Sequence, residues 1–238
     1  MTIKLKVARS AKELDDVFKL RYEVFINDKK RAFQNQVASN VPCRIVDHFD
    51  AIPGVLNIIV YDDNTPVATM RVNKDSKIGL PAEIHFDFSK LREQVIQECK
   101  NKQINPMIAN AGMLAIKNNW RNRKNVIHAM FKTAISIMYS FQASHHIASI
   151  SGESYTLYGR LGLEPVGKPQ WNKSIADNLI PMFGPFEKFL QWGFGDIYSS
   201  RMLLLEEEKF DEKSHTIMTN ALNKLERRAI SREYLQRI

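Results

Sequence analysis

Cysteine is scarce in this chain: Cys43 and Cys99 are the only two in 238 residues. Their separation fits neither a metal cluster nor a disulfide framework, which points to a reducing, cytoplasmic setting. Long apolar runs are also missing. Stretches such as Val55–Tyr61 fall far short of the ~20 residues that cross a bilayer. The start, Met1-Thr-Ile-Lys-Leu-Lys-Val7, lacks the apolar core of a secretion signal, so none is expected. No internal repeat, low-complexity linker or run of five like charges occurs. Catalytic signatures are equally sparse. Ser149-Ile-Ser-Gly-Glu-Ser154 is not a Gly-x-Ser-x-Gly elbow, and neither a phosphate-binding P-loop nor a dinucleotide fingerprint is present. His145-His146 could suggest a metal, but neighbours on a strand point to opposite faces, so a structural role is expected and no metal site is assigned.

What the chain does have is an ordinary globular composition, 44% apolar and 25% charged, with a net charge of +8. Residues 206–238 hold seven acidic and seven basic side chains, so the whole excess lies in 1–205. A basic body suits an anionic partner such as a phosphorylated cofactor, an acidic carrier protein, a membrane surface or nucleic acid. A generally basic proteome would give the same excess. No basic helix carries a DNA-reading motif, so nucleic acid is not expected.

Alternation over Lys4–Arg9 predicts a strand, and Ser10-Ala-Lys-Glu13 reads as a capping box opening a helix to about Phe25. Residues 27–45 are polar and predict a loop. Val55–Tyr61 and Pro66–Asn73 flank Asp62-Asp63-Asn64-Thr65, a hairpin signal. Ser89 can cap a helix to about Lys100, and Met107–Ile116 is nearly continuous in apolar character, as a fully buried strand would be. A helix over Asn125–Gln142 and a strand over Ile147–Ile150 follow. The aromatic, proline-punctuated stretch 171–194 suits a core or dimer surface, or equally the lining of a channel for an apolar chain. Arg201–Leu205 can return as a strand, and Ser214–Ile238 predicts a long amphipathic helix. Strands with interspersed helices and one strand–helix–strand crossover predict a mixed α/β sheet over 1–205, followed by a C-terminal helix in 206–238.

Two groups of residues stand out. After the buried strand comes the turn Trp120-Arg121-Asn122-Arg123-Lys124-Asn125. Cations at a helix start oppose its dipole, whereas a bound phosphate there would meet backbone N–H groups and charge-assisted side-chain bonds together. A solvated helix terminus is the plain alternative. The second group is Arg21 and Phe25 with Asp47-His48-Phe49-Asp50 and Arg71. The aspartates can pair with the arginines or receive a substrate amine; each by itself could be a surface ion pair worth under ~1 kcal/mol.

Leu20-Arg21-Tyr22-Glu23-Val24-Phe25, then Asp47-His-Phe-Asp50 and Ala68-Thr-Met-Arg71-Val72, resembles the N-terminal half of acyl-homoserine-lactone synthases and of their relatives, the N-acyl amino acid synthases. Gly112-Met-Leu-Ala-Ile116 and the block through Leu163 resemble the acyl-donor half, so the likeness covers roughly residues 3–167. The resemblance implies a GNAT fold whose pantetheine arm lies against the central strand at Leu114, Ala115 and Ile116. The phosphate would sit at Arg121, Arg123, Lys124 and Asn125. Arg21, Phe25, Asp47, Asp50 and Arg71 would shape the acceptor and donor site. The donor in such relatives is an acyl group on acyl carrier protein or on coenzyme A. Where the signal synthases carry Glu-x-x-Arg, this chain has Asn110 and Met113, and its phosphate turn lacks the usual glycines.

Together these readings predict an acyltransferase that moves a fatty acyl chain from a pantetheine thioester to an amine, with an amino acid as acceptor. A phenol near the sulfur can protonate or hydrogen-bond the departing thiolate; Tyr158, four residues before Gly162, is the candidate, with Tyr155 as competitor and packing on the sheet as the plain alternative. Backbone N–H near Leu114 to Ile116 would take the oxyanion. Glu153, Glu83 or a water chain would remove the proton. Two alternatives stay open: an acetyl-coenzyme A-dependent acetyltransferase, and a degenerate module that binds acyl ligands or carrier protein without turnover.

Overall fold

A computed structural model describes residues 3–28, 43–173 and 175–195. The elements are β1 (Ile3–Val7), α1 (Ala11–Tyr22), β2 (Val55–Asp62), β3 (Thr65–Lys74), α2 (Ser89–Asn101), β4 (Ile108–Ile116), α3 (Lys124–Ser140), β5 (His145–Ser151), α4 (Tyr155–Arg160), β6 (Glu164–Pro165), β7 (Gln170–Asn172), β8 (Asp177–Pro185) and α5 (Phe186–Phe194). The strands form one eight-stranded mixed sheet in the order β1-β2-β3-β4-β5-β8-β6, with β7 also on β8. This is the mixed α/β architecture expected. The expected strand at Arg201–Leu205 and helix at Ser214–Ile238 lie outside the described residues.

Local chemistry explains most boundaries. Ser10 Oγ accepts from the Glu13 amide (3.2 Å) while a Glu13 carboxylate oxygen accepts from the Ser10 amide (3.1 Å), so the capping box starts α1. The helix does not run evenly to Phe25, however: it ends at Tyr22 and widens into a π-helical turn, Glu23–Asp28. Wide turns of this kind re-aim side chains, and here the turn carries Phe25. In the β2–β3 hairpin, Asp63 takes the left-handed φ of +52° that a tight two-residue turn needs. Ser89 is not the cap of α2 but its first residue; the Asp87 carboxylate accepts from its amide (2.9 Å).

Helices cover both faces. Ala109, Ala111, Ile116, Ala148 and Ile150 pack with α3 and α5, whereas Ile108 and Ile147 pack with α2 and Ala115 with α1. The adjacent histidines split as the strand alternation requires. His145 stacks on Phe183 (5.3 Å between centroids) and His146 on Phe189 (5.0 Å).

The feature that makes a site is a fork. β4 and β5 pair in parallel only at Ile108–His145 and Ala109–His146, then separate. Separation would strand backbone groups in a dry interior, a cost of a few kcal/mol each. Side chains take those places. The Ala111 amide donates to His146 Nε2 (3.2 Å), Asn110 Nδ2 donates to the Ile147 carbonyl (2.8 Å), and the Tyr158 hydroxyl donates to the Ala111 carbonyl (3.3 Å). Burial lowers the His146 pKa to about 3, so the ring is neutral and its nitrogen is free to accept.

Candidate active site

Beyond the fork lies a cavity of about 310 Å³. It passes through the sheet, because its wall includes Asn110, Gly112, Ser149 and Ser151, which follow the alternation of Ile108 and Ile147 toward α2, and also Ile116, Ile150 and Tyr158, which pack on the α3 side. One rim is charged, with Asp47, Arg71 and Phe25. The opposite rim is largely apolar, with Pro81, Ala82, Ile84, Ile175 and Leu179.

The charged rim is built from a buried quartet. Arg21 reaches both oxygens of Asp50 through Nη1 (3.0 and 2.9 Å) and donates to Asn57 Oδ1 through Nη2. Arg71 Nη1 donates to Asp47 (2.5 Å) and lies 3.1 Å from Asp50. Asp47 and Asp50 also cap the short 3₁₀ turn His48–Ala51 that carries them, Asp47 accepting from the Phe49 amide (2.9 Å) and Asp50 from the Asp47 amide (3.1 Å). The side chains of Arg21, Arg71 and Asp50 are 0%, 2% and 2% exposed. Burial works against the Asp50 carboxylate, but the Arg21 and Arg71 guanidiniums outweigh it and hold its pKa below the usual range. Two cations and two anions therefore balance inside the protein. Only the Asp47–Arg71 half lines the cavity; Arg21 and Asp50 stand behind it.

On the floor, β4 bulges. Thr69 faces Ala115 and Arg71 faces Gly112, so Met113 and Leu114 together oppose Met70, and Met113 takes a φ of +51°. The bulge exchanges faces: Leu114 and Ile116 line the cavity, whereas Ala115 packs against Leu20, Val24 and Phe25 of the α1 side. Tyr158, 3% exposed, packs edge-on to Phe131 with its hydroxyl at the fork. Burial raises its pKa above the ordinary phenol value near 10. Tyr155 is largely exposed and outside the cavity wall. Glu153 is exposed at the cavity edge, 3.4 Å from Ser151 Oγ. Glu83 instead faces α2, where Arg92 holds it (2.5 Å).

The basic turn divides. Arg121 Nε donates to the Ile116 carbonyl (3.1 Å), and its side chain reaches the cavity. Arg123 lies over the Trp120 ring at 4.2 Å, and Lys124 and Asn125 open α3 at the surface. The α3 start has no side-chain cap and no acidic residue in its first turn. The arrangement can thus offer an anion several cations and a helix terminus.

Several residues in the wall, or behind it like Asn57 on Arg21, were not legible in the sequence as part of the site. Asn57 had a signal, a polar side chain inside the apolar run Val55–Tyr61. Pro81, Ala82, Ile175 and Leu179 had none, since apolar residues near turns are common. The fork residue His146 was readable as structural, but not as a substitute for a missing ladder bond.

A family model described as N-acyl amino acid synthase FeeM matches residues 16–183. Among solved structures, FeeM from uncultured soil microbes superimposes with a TM-score of 0.61 at 11% identity, covering 81% of this chain and 96% of that one. The acyl-homoserine-lactone synthase LasI gives 0.57 at 13% identity, with 82% and 94% covered. The coenzyme A-dependent acyl-homoserine-lactone synthase BjaI gives 0.55 at 12% identity, with 80% and 88% covered. No curated protein sequence matches.

Proposed function

The chain belongs to the N-acyl amino acid synthase FeeM family, acyltransferases of GNAT-like fold that act on an amine, and from that premise we propose that it moves a fatty acyl group from a pantetheine thioester to an amino acid. The observation that carries the reading is the through-sheet cavity beyond the β4–β5 fork, charged at one rim and apolar at the other. A thioester needs a slot that reaches from a phosphate-binding surface to a dry chamber, and an amino acid needs charged partners beside the same point.

In this reading the phosphate of the donor, on acyl carrier protein or coenzyme A, rests at Arg121, Arg123, Lys124 and Asn125, and the arm enters the fork along Leu114 and Ile116. Asp47 and Arg71 receive the acceptor's amine and carboxylate, backed by Arg21 and Asp50; Phe25 covers them. The neutral amine nitrogen bonds to the carbonyl carbon, and the oxyanion takes a hydrogen bond from the strand at the bulge near Leu114. The carbon–sulfur bond then breaks, giving an amide and a thiolate. The amine's surplus proton leaves toward Glu153 through Ser151 and water, and the thiolate takes one from solvent. Asn110, beside the reacting point, holds the fork open through its bond to Ile147. Tyr158 is best suited to hydrogen-bond the thiolate, its single hydroxyl proton turning from the Ala111 carbonyl, rather than to protonate it. A thiol near pKa 8.5 is far more acidic than a phenol pushed above 10, so proton transfer would run uphill. Losing a hydrogen bond to a charged sulfur costs about 1.5–3 kcal/mol, so Tyr158→Phe lowers kcat roughly 10- to 100-fold. By leaving the buried Ala111 carbonyl unpaired at the fork it also costs about 1–3 kcal/mol of fold stability.

The test is thiol release from a panel of acetyl to palmitoyl thioesters, on coenzyme A and on acyl carrier protein, with a mixture of amino acids added. Amine-dependent release from long chains, with the product identified by mass, is the expected outcome. Preference for acetyl-coenzyme A would move the protein to the acetyltransferases, and thioester binding without release would make it a binding module.

A further inference from the structure

The apolar rim is assembled from two separate segments. One is the 3₁₀ turn Pro81–Ile84 with His85, and the other is the end of β7 with Ile175 and the start of β8. Among the described residues no backbone ladder joins them, and a side-chain contact bridges them. Asn172 Nδ2 lies 2.9 Å from His85 Nδ1, and Asn172 Oδ1 accepts from the Ile175 amide (3.2 Å). Because the amide oxygen is committed to Ile175, the amide nitrogen faces the ring, and the His85 nitrogen must accept. Burial lowers the His85 pKa, which agrees with a neutral ring.

The near segment is anchored at its far side as well. Arg92 on α2 forms bidentate pairs with Asp75 (2.6 and 2.9 Å) and Glu83 (2.5 and 2.7 Å), and Glu83 accepts from the Leu80 amide (2.7 Å). The segment is thus fixed at its root by α2 and by the packing of Leu80 and Ala82 with Ile108 and Ile147, and at its tip by one amide. The apolar residues on either side of that amide, Ala82 and Ile84 on one segment and Ile175 and Leu179 on the other, all face the cavity.

We propose that the His85–Asn172 contact is a clasp that closes the acyl end of the cavity and so sets the longest acyl chain the enzyme transfers. This rests on the reading of the cavity as an acyl-transfer site. The charged rim is the wrong solvent for an alkyl chain and the right one for an amino acid, so the chain takes the apolar rim. Its terminal methyl then meets the two segments that the clasp holds together. His85 and Asn172 are positioning residues here, since they act through the walls they join.

The experiment is the chain-length profile of kcat/KM for thioesters from four to sixteen carbons, measured on the full-length protein. His85→Ala and Asn172→Ala are expected to raise kcat/KM for donors two carbons beyond the wild-type optimum about tenfold relative to that optimum. His85→Gln, which keeps an acceptor for Asn172, should restore the wild-type cut-off. Leu179→Phe, which leaves the clasp intact and fills the same wall, should move the optimum to shorter chains and serves if the clasp variants fold poorly. An unchanged profile in folded clasp variants, or in Leu179→Phe, overturns the clasp while leaving the acyltransferase reading in place. A wild type that releases no thiol from any donor overturns that reading, and the clasp with it.

Discussion

Two charge clusters flank the cavity, and they are built on opposite terms. The Arg21–Asp50–Arg71–Asp47 quartet is buried, paired and internally neutral, each cation meeting a carboxylate within about 3 Å. The Arg121–Arg123–Lys124 turn is cationic and contains no carboxylate of its own: Arg121 is half-buried and lies 3.5 Å from Asp28, whereas Arg123 and Lys124 are exposed. A buried charge has to find its partner inside the chain, because water cannot supply one. An exposed cluster can be left incomplete, and incompleteness of one sign is what an external anion recognises. The first cluster therefore shapes a rim, and the second offers a landing surface.

Asp50→Ala tests the contrast most severely. It leaves two guanidiniums facing one carboxylate in a dry site, and should cost about 3–5 kcal/mol in urea-induced unfolding. A loss below ~1 kcal/mol would mean that the quartet behaves like a surface pair and that the contrast is false.

Acidity separates the clusters next. The folded Asp50 pKa is depressed, so below about pH 4 the unfolded chain binds more protons at this residue; the stability it contributes is complete above that pH and is lost as pH falls through the folded value. His146 acts earlier with the same sign. Its pKa is about 3 in the fold and near 6.5 when unfolded, so stability declines as pH drops between those values. The decline between pH 6.5 and 4 should flatten in His146→Gln, measured by unfolding free energy against pH.

The smallest stability effect should come from Arg123→Ala, about 0.5–1 kcal/mol from the lost stacking on Trp120. Its consequence lies in binding: KM for the thioester donor should rise several-fold at low ionic strength, and the difference should shrink as salt screens the turn. A salt-independent KM change would place the donor's phosphate elsewhere.

The sequence made both clusters visible, but not their difference. Arg21, Asp47, Asp50 and Arg71 could be read as substrate ligands or as surface ion pairs; the structure makes them a single buried unit and turns only Asp47 and Arg71 to the cavity. Helix α1 was legible to its capping box, yet its π-helical end was not, because a wide turn has no local signature and depends on what Phe25 packs against. Likewise, Asn110 was legible as a departure from a family pattern, while its bond across the fork depends on where β5 diverges.

By itself the sequence determined the elements from β1 to β5 to within a few residues, since capping, alternation and turn chemistry act locally and leave a periodic trace. In the aromatic stretch 171–194 it assigned neither β8 nor α5. It determined the basic excess too, because charge is additive. Where β4 and β5 part, which side chains replace the lost backbone bonds, and that His85 meets Asn172 across 87 residues were decided by the tertiary structure. These depend on packing between segments distant in sequence, and no local pattern records which distant group will satisfy a buried donor or acceptor.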